Sequence, residues 1–175
     1  MKPFGPIPPA FQANDAHHML IGGRPVAHWV EQAGDTPLFL YDAAMLTARA
    51  AEFRGAFPAD VQLHYAMKAN PFAPLLAHMA SLVDGFDVAS GGEMAAALAA
   101  GVAAEEISFA GPGKRERELR AAIEAGVTLN VESAGEAARA LAIGEALGKA
   151  PRLAVRVNPS FDLKGSGMKM GGGAK

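Results

Sequence analysis

Gly85-Phe86-Asp87-Val88-Ala89-Ser90-Gly91-Gly92-Glu93, residues 85–93, joins two patterns of different period. Phe86 and Val88 flank Asp87 with the alternation of a β-strand, which puts apolar side chains on one face and the acid on the other. Ser90 followed three residues later by Glu93 then carries the signature of a helix N-terminus. Strand followed at once by helix is one βα unit. Working outward, the unit repeats. Short apolar runs begin at Leu38, Val61, Phe86, Ile107, Thr128 and Arg152, roughly every 23 residues. Alanine-rich stretches with helical marks lie between them. In 43–56, Met45, Leu46, Ala50 and Phe53 fall near a 3.6-residue period. Ser133 and Glu136 repeat the capping signature ahead of 134–147, and Gly101, Gly126 and Gly148 sit where helices should stop.

Strand and helix in alternation imply a parallel sheet. Two closures are open at this point, a doubly wound sheet or a (β/α)8 barrel. The barrel needs eight units and about six are counted, with the sequence given ending at Gly171-Gly172-Gly173-Ala174-Lys175, so an incomplete barrel is expected. Residues 1–37 read differently. Four of the first nine are proline, His17-His18 follow, and Ile21-Gly22-Gly23-Arg24-Pro25 looks like a hairpin turn.

The strand phases carry the functional signal. Val61, Leu63, Tyr65 and Met67 share one face, while Gln62, His64, Ala66 and Lys68 share the other. Ser108 lies between Ile107 and Phe109, Asn130 between Leu129 and Val131, and Arg156 between Val155 and Val157. Each strand therefore offers an apolar face for helices and a polar residue near its carboxyl end. Burying Lys68, Asp87, Glu132 and Arg156 without partners would cost several kcal/mol per ion, so convergence on a ligand site is the better reading. Both closures put ligands at strand carboxyl ends. An interior lysine is expected to lose charge by desolvation, and a neutral amine can attack a carbonyl.

Composition excludes several alternatives. The 175 residues are half hydrophobic, with 16 Lys plus Arg against 18 Asp plus Glu and a net charge of −2. Nothing marks a surface for nucleic acid or an anionic membrane. The absence of cysteine removes disulfides, thiolate metal sites and a Cys nucleophile from these residues. No apolar run reaches the roughly 20 residues of a membrane span, and the proline-rich start lacks a secretory core, so a cytoplasmic enzyme is expected. His17-His18 are expected at the surface, with no metal assigned. Lys114, Arg115 and Arg117 are expected on a solvated helix start, and His64 as an inner polar residue. Glu132 is expected to partner a cation or to face the start of the next helix. The triple glycine 171–173 is expected in a loop, and Met168 and Met170 as loop filler.

His64-Tyr65-Ala66-Met67-Lys68-Ala69-Asn70-Pro71 closely resembles the pyridoxal-phosphate lysine motif of the fold-type III decarboxylases. These are the diaminopimelate, ornithine and arginine decarboxylases built on an alanine-racemase-like TIM barrel. The resemblance continues in register through residues 85–93, Ser108-Phe109-Ala110-Gly111-Pro112-Gly113-Lys114, Leu129-Asn130-Val131-Glu132-Ser133 and Val155-Arg156-Val157-Asn158-Pro159. Lys164-Gly165-Ser166-Gly167-Met168-Lys169-Met170 and the glycines after it look like the variant of exosortase-associated decarboxylases. The resemblance implies pyridoxal 5'-phosphate as cofactor, with Lys68 forming the internal aldimine. It makes Asp87 a polar neighbour of the cofactor and Arg156 an inner-barrel residue near the ring. It further implies a small amino acid substrate and a homodimer at full length. On this view 38–175 is a partial pyridoxal-phosphate-binding barrel, and 1–37 packs with a β-rich domain outside this sequence. The resemblance also implies that the ring-stacking histidine, the phosphate loop and the acid facing the pyridine nitrogen come from a later part of the barrel, beyond residue 175. Two rivals stand beside this reading. One is a non-catalytic pyridoxal-phosphate carrier, whose lysine motif differs from 65–70; the other is an inactive fragment, whose open sheet edges would aggregate or pair.

Overall fold

A computed structural model describes residues 11–157; the proline-rich start, Asn158-Pro159 and the glycine-rich stretch 164–173 lie outside the described residues. The chain divides into two compact units, Met1–Val61 and Gln62–Lys175.

In the first unit, β1 (Leu20–Ile21) and β2 (Arg24–Pro25) pair antiparallel, Leu20 opposite Pro25. Gly22 and Gly23 between them take φ of 58° and 73°, the left-handed pair that a two-residue hairpin turn demands. Helix α1 (Val26–Ala33) follows, and its Trp29 Nε1 donates to the Ile21 carbonyl at 2.9 Å. Helix α2 (Ala43–Ala56) starts at Asp42, whose Oδ1 accepts from the amides of Ala44 and Met45. Its Oδ2 accepts from Gly22 N at 3.0 Å, tying helix to hairpin. The bounds expected for α2 hold, but its apolar residues do not build a core: Ala50 alone is buried. The run beginning at Leu38 is not a strand. An unbroken apolar run does not by itself supply a ladder partner, and Phe39 is 84% exposed.

The second unit is a five-stranded sheet in the order β3 (His64–Ala66), β4 (Gly85–Val88), β5 (Ile107–Phe109), β6 (Thr128–Val131), β7 (Leu153–Val155). Every neighbouring pair is parallel. Spatial order follows chain order with no reversal. Right-handed crossovers then lay all the helices on one face, which is the barrel arrangement and not the doubly wound one. Among the described residues five strands, not six, belong to this sheet, and the lysine motif begins it. The connecting helices are α3 (Ala73–Met79), α4 (Gly91–Ala99), α5 (Glu116–Ala125) and α6 (Ala134–Leu147).

The core lies between sheet and helices. Phe86, Val88, Ile107, Phe109, Leu129 and Val131 are buried against Met94 and Ala97 of α4, Leu119, Ala122 and Ile123 of α5, and Ala140 and Ile143 of α6. Strands β4, β5 and β6 thus keep the expected phase. Val155 and Val157 do not: they are 76% and 78% exposed, with no described helix to cover them. Both capping serines act as expected, accepting from the Glu93 and Glu136 amides. Their carboxylate partners reach one residue further back than a capping box requires. Glu93 accepts from Ala89 N at 2.7 Å and Glu136 from Glu132 N at 2.9 Å. Gly85 is fixed by space: a Cβ there would run into the Glu106 carbonyl and come within 2.6 Å of the His64 ring. No helix of the described residues is long and apolar enough to cross a membrane.

Candidate active site

The carboxyl ends of β3 to β6 surround a hollow of about 180 Å³. Lys68 enters it from a single 3-10 turn, Met67–Ala69, that ends β3. Met67 beneath it is fully buried, which anchors the turn and leaves Lys68 on the open side. Asp87 comes from β4, Ser108 from β5 and Asn130 from β6, while Ala66, Ala89 and Ala110 supply only methyl groups. The alanines keep the lining low where a larger residue would fill the space.

The polar groups are ordered by hydrogen bonds. Asn130 Nδ2 donates to Ser108 Oγ at 2.5 Å, so the hydroxyl is occupied as acceptor and its own proton is free to point elsewhere. Asp87 Oδ1 lies 3.5 Å from His64 Nδ1, with the aspartate side chain half exposed and the imidazole a quarter exposed. His64 is therefore the neighbour of Asp87, a relation that strand phase alone could not supply. Lys68 is exposed, with no hydrogen-bond or ion-pair partner among the described residues. This corrects the expectation of an interior, desolvated lysine: the five-strand arc leaves its concave side open, so water reaches the amine. Arg156, just after β7, does not line the hollow; its Nη1 sits 3.9 Å from Glu132 Oε1. The structure thus brings Lys68 and Asp87 together and holds Arg156 beside Glu132.

Lys114 overturns another expectation. It is 4% exposed, and its Nζ donates to the carbonyls of Gly111 and Asn130 at 2.7 Å each and to Glu136 Oε1 at 3.2 Å. The Phe109 ring lies beside it, 5.6 Å from Nζ. Burial of an ammonium is tolerated because every proton is taken. Its neighbours fulfil the solvated reading: Arg115 and Arg117 are exposed. One further carboxylate is shifted. Glu118 accepts from the amides of Arg115 and Gly91, and these bonds, with the Arg115 and Arg117 charges, hold it below the usual carboxylate range against a smaller opposing effect of burial.

Comparison with known proteins can now be set against this geometry. The pyridoxal-binding domain of the pyridoxal-dependent decarboxylases matches residues 43–175. The chain belongs to this family. The diaminopimelate decarboxylase of Neisseria meningitidis serogroup B is 41% identical over 135 residues, which are 76% of this chain and 33% of that protein. A crystal structure from Aquifex aeolicus superposes with a TM-score of 0.81 at 37% identity, covering 87% of this chain and 38% of the other. The diaminopimelate decarboxylase of Helicobacter pylori, solved with L-lysine, gives 0.73 at 34% identity over 78% of this chain and 35% of its own. The chain spans about a third of the length of the curated relatives it matches.

The family's cofactor, pyridoxal phosphate, is a flat ring bearing an aldehyde and a phosphate. The donor set fits its aldehyde and ring: a primary amine without a partner among the described residues, a carboxylate on the same lining, a hydroxyl–amide pair, and a lining of methyl groups.

Proposed function

We propose that this chain is the cofactor-carrying part of a pyridoxal-phosphate-dependent amino acid decarboxylase of the diaminopimelate and ornithine type. The observation that carries the reading is Lys68: an amine without a partner among the described residues, lining with Asp87 a hollow formed by strand carboxyl ends. Lys68 is the point of covalent attachment for the pyridoxal aldehyde. When bound, the cofactor draws electrons from the substrate's α-carbon, so that the bond to its carboxylate can break and CO2 leave.

The chain's own residues do the rest. Lys68 Nζ acts as a nucleophile as the neutral amine. A carboxylate at Asp87 favours positive charge in its neighbourhood and so steadies the cationic forms of the site. Ser108 Oγ, occupied as acceptor by Asn130, can turn its proton toward an oxygen of a bound ring. Arg156, held by Glu132, contributes a fixed positive charge at the β7 end. The substrate class is a small amino acid with a second polar or charged group, for which L-lysine in the H. pylori structure is the supporting observation. In the same reading, 1–37 packs with a β-rich domain of the whole protein, which works as a homodimer in the cytoplasm.

The test is direct. The full-length protein is incubated with pyridoxal phosphate, reduced with borohydride and mapped. Label at Lys68, abolished in Lys68→Ala, is expected; label at any other residue would overturn the assignment. CO2 release from a panel of diamino acids separates a decarboxylase from a carrier that binds the cofactor without turnover.

A further inference from the structure

Beside the hollow lies a chain of buried and part-buried polar contacts that runs from Lys114 to Arg156. Lys114 Nζ joins three elements at once: the loop after β5 through the Gly111 carbonyl, β6 through the Asn130 carbonyl, and α6 through Glu136. Lys114 and Glu136 have side chains only 1% and 2% exposed. Glu136 passes the connection on, since its second oxygen accepts from Glu132 N. Glu132 in turn accepts from Gly111 N at 2.7 Å and lies 3.9 Å from Arg156 Nη1. The Gly111 peptide is thus gripped at its carbonyl by Lys114 and at its amide by Glu132. Gly111 holds φ of 115°, a conformation open to glycine and strained for other residues, so the grip acts on a peptide that could otherwise turn freely.

We propose that Lys114 is a positioning residue of the active site: it fixes the strand-end segments of β5 and β6 so that Ala110, Ser108 and Asn130 present one pre-set surface to the cofactor. Asn130 is gripped twice, by Lys114 at its backbone and by Ser108 at its side chain, and it lines the hollow. A site pre-set in this way spends less of its binding free energy on ordering loops, so cutting the grip weakens the cofactor and leaves the sheet intact. Among the described residues Lys114 is a second amine near the hollow, and with Nζ donating to three acceptors it is unavailable to an aldehyde. The inference rests on the function proposed above.

Removing Lys114 alone strands the Glu136 charge, and that variant can fail to fold. The experiment therefore uses the full-length protein as Lys114→Met/Glu136→Leu, which removes both charges and keeps apolar volume, beside Leu119→Ala, a core truncation in α5 away from the hollow. Cofactor dissociation constant, circular dichroism of the bound chromophore and thermal midpoint are measured for each. The double variant is expected to bind pyridoxal phosphate about tenfold more weakly with an altered chromophore signal. Its Gly111 and Glu132 amides should exchange faster even without cofactor, whereas Leu119→Ala should lose midpoint but keep affinity. Wild-type affinity and chromophore signal in the double variant would overturn the proposal. Wild-type protein that takes no label at Lys68 would instead overturn the functional reading beneath it.

Discussion

Helices α2 and α6 are both fourteen residues long, both rich in alanine and both capped by a side chain that accepts from the first turn. Yet α6 buries Glu136, Ala140, Ile143 and Gly144, while α2 buries only Ala50. The difference lies in what each helix meets. Helix α6 lies against β6 and α5 in a repeating unit where sheet and helix present apolar faces to each other. Helix α2 follows a run, 38–41, that forms no strand. Its Phe53 ring stacks on Phe57 at 6.1 Å, and both stay about half exposed. Helical periodicity is a property of the segment; burial is a property of the neighbour.

The largest way to sharpen this contrast is to truncate one phenylalanine from each region. Phe109, 1% exposed in β5, lies in the packed layer, and Phe109→Ala should cost about 3–5 kcal/mol in urea unfolding. Phe53→Ala in α2 should change stability by no more than about 0.5 kcal/mol. Equal losses would mean that α2 is packed as well as the sheet is. Capping gives a smaller, inverted contrast. Ser133→Ala removes the acceptor for Glu136 N and should lower stability by about 1 kcal/mol, leaving α6 helical because its packed face remains. Asp42→Ala costs about the same, but it also releases Gly22, and α2 has little packing in reserve. Amide exchange across 43–56 should therefore accelerate, while exchange across 134–147 should not.

The smallest effect is a pH dependence confined to the packed region. Glu118 binds its proton less readily in the folded chain than in the unfolded one, because two amides and two arginines favour its charge. Its stabilisation is complete above the ordinary carboxylate range near pH 4–5, and it fades as pH falls through that range toward the lower folded value. Glu118→Gln should flatten that part of the stability profile. An unchanged slope in the variant would show that other carboxylates set it.

What could be read in advance follows the same division. The phases of β4, β5 and β6 were legible because period two survives in any buried strand, and Ser90 and Ser133 because caps are local chemistry. The placing of Lys68 and Asp87 at neighbouring strand ends followed from those phases. Lys114 was not legible. In Gly113-Lys114-Arg115-Glu116-Arg117 it looks like one more solvated charge, and its burial depends on Glu136, twenty-two positions away on another helix. The run at Leu38 misled for the opposite reason: Leu38-Phe39-Leu40-Tyr41 is as apolar as a buried strand, yet a strand exists only where another offers hydrogen bonds. The exposure of Lys68 likewise depends on what faces it across the concave side, which no local pattern encodes.

The two displaced caps have one more effect. Because Glu93 grips the Ala89 amide and Glu136 the Glu132 amide, the first turns of α4 and α6 and the rim of the hollow form a single mechanical unit. Helix ends are the earliest parts of such a layer to fray on warming. Warming should then blur the mouth of the hollow several degrees before the sheet gives way, so that grip on a small molecule fades ahead of the main melt.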